Sequence, residues 1–307
     1  MCHDEVGTRG YRPFAAFSRI TLPNVEHLTN DAPACQSVFR VLTSASPAVY
    51  YALMSHPAYE QLQDIAHRVA KTLPVPAFYG RHAKMIRFAG EHLAASELLS
   101  ECRAYLDESK LECAHGLCHC EAVARDAGAL VLIEAPGRGI GEDDSAGLFL
   151  AAELAGLLHD IKRKEKDHAR LGSIEADRIL KDLGLEKDYR KYIVDAIRNH
   201  EAFKGTKKAD DEEGQLVSDA LYDADKFRWG PENFTTTLWT IVNDYDMPPE
   251  SLHKVFKEKM KGIEKIKDTF RTRTGLQFGP EIIDQGITIG NAIYKEMCVM
   301  LENGTIS

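Results

Sequence analysis

The sequence predicts an all-α fold. Apolar residues recur at helical spacing in segment after segment, prolines and a glycine-rich stretch separate those segments, and no stretch alternates apolar and polar residues as a strand does. The first 20 or so residues read as irregular. From Pro33 to about Asp107 short helices are punctuated by Pro47, Pro57, Pro74 and Pro76. One of them, Tyr59–Thr72, carries Leu62, Ile65, Ala66 and Val69 on one stripe. His56, His67, His82 and His92 in this part show no partnered pattern and read as surface or core residues.

From Leu111 to about Phe227 the helical signal strengthens. Val123, Ala127, Leu130 and Val131 form one stripe, and the glycine-rich acidic loop APGRGIGEDDSAG follows. FLAAELAGLLHD is apolar nearly all round, as a fully buried helix is. Ala176, Ile179, Leu180 and Leu183 mark the next helix, Ile193, Ala196 and Ile197 a third, and Val217, Ala220, Leu221 and Ala224 a fourth. After Pro231 comes a Lys-rich amphipathic helix, SLHKVFKEKMKGIEKIKDTF, whose charges read as a solvated face. A final apolar helix is predicted near Ile282–Leu301, after FGPE.

Composition narrows the function classes. The chain has 307 residues, 44% hydrophobic and 28% charged, as ordinary globular proteins have. Its formal net charge of −9 gives no general pull toward nucleic acid or anionic membrane, so no nucleic-acid polymer is expected as a partner. No apolar run approaches the ~20 residues of a membrane span, since Glu153 interrupts the longest, around Leu148–Leu158. The first residues hold acids and no apolar core of a secretory signal, which points to the cytoplasm. Of seven cysteines, Cys2, Cys35, Cys102 and Cys298 are scattered and read as small hydrophobes, while Cys113, Cys118 and Cys120 crowd together.

Histidines and aspartates stand at the edges and ends of these apolar helices. AHGLCHCEAVARDAG holds His115 and His119 four apart, on one helix face. LAGLLHDIKRKEKDH ends a buried helix in His159 and Asp160, with His168 following, and YIVDAIRNHEAF puts His200 on the stripe of Ile193, Ala196 and Ile197. LVSDALYDADKF offers Asp223 and Asp225, about 200° apart on a helix; periodicity does not choose between them. A lone histidine on an apolar face is more often a hydrogen-bonded core residue than a ligand. Several in successive helices are another matter, because burying unpartnered titratable groups is costly and a shared cation removes that cost. Imidazole and carboxylate together suit Fe, Mn, Zn, Ni or Co. Lys162, Arg163, Lys164 and Lys166 read either as a solvated loop or as cations that steer a phosphate.

The order H…HD…H…H…D resembles the HD superfamily of metal-dependent phosphohydrolases, over about residues 111–230. HCEAVA is similar to its first-helix motif, LLHDI to its central doublet, and DADKF to its closing aspartate motif. HARLG and NHE resemble the extra histidines of members that hold two metals, including HD-GYP phosphodiesterases. The resemblance implies an HD-type helical bundle at 99–235 between a helical region at 1–98 of unassigned role and a helical extension at 236–307 packing on the core. It implies His119, His159, Asp160 and a closing Asp, Asp225 in preference to Asp223, as ligands of one divalent ion (Fe, Mn, Ni, Co or Zn, with Mg also allowed). His168 and His200 would take part in a second, with Asp160 bridging. His115 stands where relatives place a proton-donating His or an extra ligand, so it is a candidate general acid. The implied activity is hydrolysis of a small phosphomonoester or phosphodiester such as a nucleotide, by a metal-activated hydroxide, with Lys162 and Arg163 as candidate phosphate contacts and a homodimer as a candidate assembly.

The chain departs from the HD-GYP pattern: Lys162 and Arg163 follow HDI, and GTKK follows the NHE segment, which argues against cyclic dinucleotides. Other readings remain open. These are an HD-type module that binds a nucleotide or partner without turnover, and a di-iron HD-type oxygenase. Two more are a c-type haem on Cys113, Cys118 and His119, and a zinc or iron–sulfur site on the three cysteines. Cys118 and Cys120 point about 200° apart on a helix, poor for one metal.

Overall fold

The computed structural model describes residues 56–106 and 116–306. His115, Cys113, Cys2 and Cys35 lie outside the described residues, as does the irregular N-terminal stretch. Twelve α-helices and no strand are found among the described residues, so the fold is all-α. They are α1 (Pro57–Thr72), α2 (Ala77–Arg81), α3 (Ala83–Ala95), α4 (Glu97–Arg103), α5 (Leu117–Glu134) and α6 (Glu142–Leu158). There follow α7 (His168–Asp182), α8 (Lys187–Arg198), α9 (Glu212–Phe227), α10 (Leu238–Asp244), α11 (Pro249–Glu264) and α12 (Arg273–Glu302). No helix among the described residues is long and apolar enough to cross a membrane.

The all-apolar helix α6 is the centre of the bundle. Every residue from Ser145 to Leu158 is buried, because α5, α8 and α9 pack around it. Two glycines let α5 and α6 approach closely. A Cβ on Gly156 would lie 2.3 Å from Ala124 Cα, and one on Gly128 would lie 2.8 Å from the Phe149 ring. The acid that breaks the apolar run, Glu153, is fully buried and paired with His92 of α3 at 2.6 Å.

The stripes predicted from sequence face the core. In α8, Ile193, Ala196 and Ile197 are buried, and in α11 the Lys-rich helix turns Leu252, Phe256, Met260 and Ile263 inward. One apolar cluster runs from Ala58 of α1 to Ile306 beyond α12. In it α12 packs against α1 and α11, and also reaches α9 and α5.

Two boundaries differ from expectation. The glycine-rich loop is shorter, because α6 already starts at Glu142. Its first turn, Glu142, Asp143 and Asp144, places negative charge where the helix dipole favours it. The last helix begins at Arg273, well before Pro280, which lies inside it. Its start is set by Thr272, whose hydroxyl accepts from the Gly275 N–H at 2.8 Å. A Thr N-cap outweighs the proline as a start signal here.

Candidate metal centre

Five helix ends converge on one side of α6. His119 lies in the first turn of α5, and His159 and Asp160 directly follow α6. His168 opens α7, His200 stands two residues past α8, and Asp225 sits in the last turn of α9. Helix ends suit such a task because the chain there leaves the helical path and can turn a side chain toward a common point.

Ligand-type atoms of His119, His159 and Asp160 gather in one group, and those of Asp160, His168 and His200 in a second that shares the carboxylate. In the first, His119 Nε2 lies 3.3 Å from His159 Nε2, and His159 Nε2 lies 3.4 Å from Asp160 Oδ2. Asp225 Oδ1 lies beside the two histidines of this group, 3.5 Å from His119 Nε2 and 3.8 Å from His159 Nε2. In the second, Asp160 Oδ1 lies 3.4 Å from His200 Nε2 and 3.8 Å from His168 Nε2. Asp160 thus turns one oxygen to each group.

These separations fit a metal ion. With bonds of about 2.0–2.2 Å, neighbouring ligands of one ion lie roughly 3–3.5 Å apart. The tautomers fit as well. A backbone carbonyl only accepts, so His159 Nδ1 donates to Gly156 O at 2.8 Å and His200 Nδ1 donates to Ile197 O at 2.6 Å. Each bond aims the ring and sends Nε2 toward the centre, the usual support for a metal-binding histidine. Asp160 Oδ1 and His200 Nε2 are buried and have no hydrogen-bond partner among the described residues. Leaving such atoms unsatisfied costs about 1–3 kcal/mol each, a cost that a bound cation removes. The buried histidine and aspartate groups can therefore bind a metal.

Without an ion the charges are mutually dependent. Burial pushes the Asp160 carboxyl up, but the His159 and His200 imidazoles more than offset it, so its pKa falls well below the usual range. Asp225 behaves likewise, with burial outweighed by Lys226 and then by His119 and His159. The His159 imidazole is pushed down by burial and up by Asp160 and Asp225, which prevail. At His168 burial lowers the pKa, Arg163 and His200 add to that, and Asp160 opposes it.

Asp223 is not in the centre. Its carboxylate, fully buried, accepts from Arg271 N at 2.9 Å, Thr272 N at 2.8 Å and Thr272 Oγ1 at 2.7 Å. Burial pushes its pKa up to about 7. Among the described residues, none of His56, His67, His82 and His92 belongs to a group with metal-ligand spacing. His56 caps α1 and His82 packs against the Phe78 and Phe278 rings. Cys118 is exposed and Cys120 buried, on opposite sides of α5, and neither is in a metal-spaced group among the described residues.

A cavity of about 270 Å³ opens beside the centre. His119, Asp160, His200 and Asp225 form its acidic and imidazole wall, with Arg163, Lys226 and Arg228 as basic groups. Lys162 does not line it. The far wall is Trp229, Asn233 and Thr237, from the segment joining α9 to α10, and Ile241 of α10. That segment contains a π-helical stretch, Asn233–Thr237, and such stretches recur at functional sites. Sequence reasoning passed over this wall, Lys226 and Arg228. Their one signal is proximity, since Lys226 directly follows the DAD of the closing motif and Arg228 stands two residues further on.

Comparison of the chain with models of protein families, with curated proteins and with solved structures found no match in any of the three.

Proposed function

We propose that the chain is a metal-dependent phosphohydrolase of HD type, acting on a small phosphorylated substrate such as a nucleotide. The observation that carries the reading is Asp160, a buried carboxylate with one oxygen in a group with His119 and His159 and the other facing His168 and His200. The residues that would hold a divalent ion are His119, His159, Asp160 and Asp225, with His168 and His200 completing a second position. A divalent ion bound there lowers the pKa of coordinated water toward neutrality and offsets the charge of a phosphoryl group.

The remaining work falls to the chain's own groups. Asp225 and Asp160 are themselves negative and would repel a phosphate, so cations must draw it in. Lys226, with Nζ 2.5 Å from Asp225 Oδ2, and Arg163 line the same cavity and are the cations nearest to where phosphoryl oxygens would sit. Arg228 is occupied by Asp126 and Glu232 and serves to hold the wall. Ala202, Trp229 and Ile241 offer an apolar surface to the organic part of the substrate, and Asn233 and Thr237 offer hydrogen bonds. A cavity of about 270 Å³ suits a small molecule and not a polymer.

The test is Asp160→Ala, assayed for metal content and for turnover of a broad panel of phosphomonoesters and phosphodiesters by metal-loaded protein. The reading expects both to be lost together. Retained metal with full activity would rule it out. Metal held by the unaltered chain with no turnover across the panel would leave a nucleotide- or partner-binding module in its place.

A further inference from the structure

We infer that Arg163 is the resident cation of the second group. Its guanidinium takes the place of a second ion, so the centre holds one tightly bound metal, and a second binds at Asp160, His168 and His200 only when Arg163 leaves. The inference rests on reading the cluster as a metal centre and assigns its occupancy.

Arg163 stands in the turn after α6, tied to Asp160 by its own N–H, which donates to the Asp160 carbonyl at 2.9 Å. Its Nη1 lies 3.0 Å from His168 Nε2 and 3.7 Å from Asp160 Oδ1. Those are two of the three atoms that form the second group. A guanidinium only donates hydrogen bonds, so His168 Nε2 must accept, and its one lone pair is committed to Arg163. A metal ion needs that same lone pair. Guanidinium does not lose its proton in proteins, so pH does not relieve the conflict; only movement of the side chain does. The side chain has room to move, being 30% exposed and lining the cavity.

The cation beside the first group is placed differently. Its cation, Lys226, sits on Asp225 Oδ2, while Oδ1 faces His119 and His159. Charge points the same way. The first group brings two carboxylates to balance a divalent ion, whereas the second has its share of Asp160, to which Arg163 already supplies a positive charge, and the weaker influence of Glu201, a cavity carboxylate that Lys204 pairs at 3.6 Å. With one ion bound, Arg163 keeps its fork at the cavity wall, where a phosphate can engage it in bidentate fashion.

The experiment strips the full-length chain with chelator and titrates it with Mn²⁺. Stoichiometry is read by plasma mass spectrometry after desalting, and affinities by calorimetry. The unaltered chain is expected to take one ion tightly, with any second ion about 10- to 100-fold weaker, the range by which neighbouring groups tune metal affinity. Arg163→Ala, and Arg163→Gln as a variant that keeps part of the side-chain stem without the charge, are expected to take two ions of comparable affinity. His168→Ala in the otherwise unaltered chain is expected still to take one. Two equally tight ions in the unaltered chain, or a single ion in both folded Arg163 variants, would overturn the inference and leave the metal-centre reading standing. No ion bound by any of them would overturn both.

Discussion

Asp223 and Asp225 are two residues apart on α9, and their carboxylates go to opposite tasks: Asp225 Oδ1 faces His119 at 3.5 Å, while Asp223 receives the backbone N–H groups of Arg271 and Thr272. The two acids should therefore fail differently. Asp225→Asn is expected to lower metal affinity at least about tenfold while the protein stays folded. Asp223→Ala is expected to keep the metal and to cost about 3 kcal/mol of stability, since it strands three buried donors. Metal titration and urea midpoints on both variants decide it, and the reversed pattern would place the metal contact on Asp223.

Gly156 couples packing to the centre. Its missing Cβ lets α5 and α6 touch at Ala124, and its carbonyl accepts the His159 Nδ1 proton. Gly156→Ala should cost about 1–3 kcal/mol by overpacking and should weaken metal binding as well, because α5 carries His119 and α6 leads into His159. A normal melting temperature with normal metal content would show that the close approach is not needed.

Glu153 and His92 give the core a pH dependence. Burial raises the Glu153 carboxyl from an ordinary 4.5 to about 7, with His92 opposing. The folded state thus holds this proton more tightly than the unfolded chain. The corresponding stability is fully present below 4.5 and is lost as pH rises to about 7. The loss is at most about 3 kcal/mol. In Glu153→Gln the slope of stability over that window should flatten, and the variant should gain on the unaltered chain as pH rises. Urea midpoints on either side of the window check this; parallel profiles for the two proteins would refute it.

Arg228 is buried and bonds Asp126, Tyr79 and Glu232 behind the cavity wall. Arg228→Met leaves Asp126 with only Arg125 as a cation and is expected to cost about 3–5 kcal/mol. Adding Asp126→Asn should return part of that loss. Additive losses in the double variant, measured by chemical denaturation, would show that the two residues do not act as a pair.

How much of this was legible in the sequence varies with the range of the interaction. Helix type and inward face could be read because the 3.6-residue period is a local property, and Ile193, Ala196, Ile197 and His200 share it visibly. The burial of α6 could be read because it has no polar face to turn outward. The start of α12 could not, since a proline is a conspicuous local signal, while the cap at Thr272 is reinforced by Asp223 from another helix.

The sequence by itself determined that this is a helical chain with histidines and aspartates at the ends of apolar helices, because residue type and spacing carry that information. Only the tertiary structure decided which of them meet. It set Asp225 and not Asp223 beside His119, divided the Asp160 oxygens between two groups, and brought Arg163 against His168. The physical reason is that these contacts depend on how five helix ends are aimed by packing around α6. That aim is fixed by close approaches such as Gly156 on Ala124, and no periodicity along one helix encodes it.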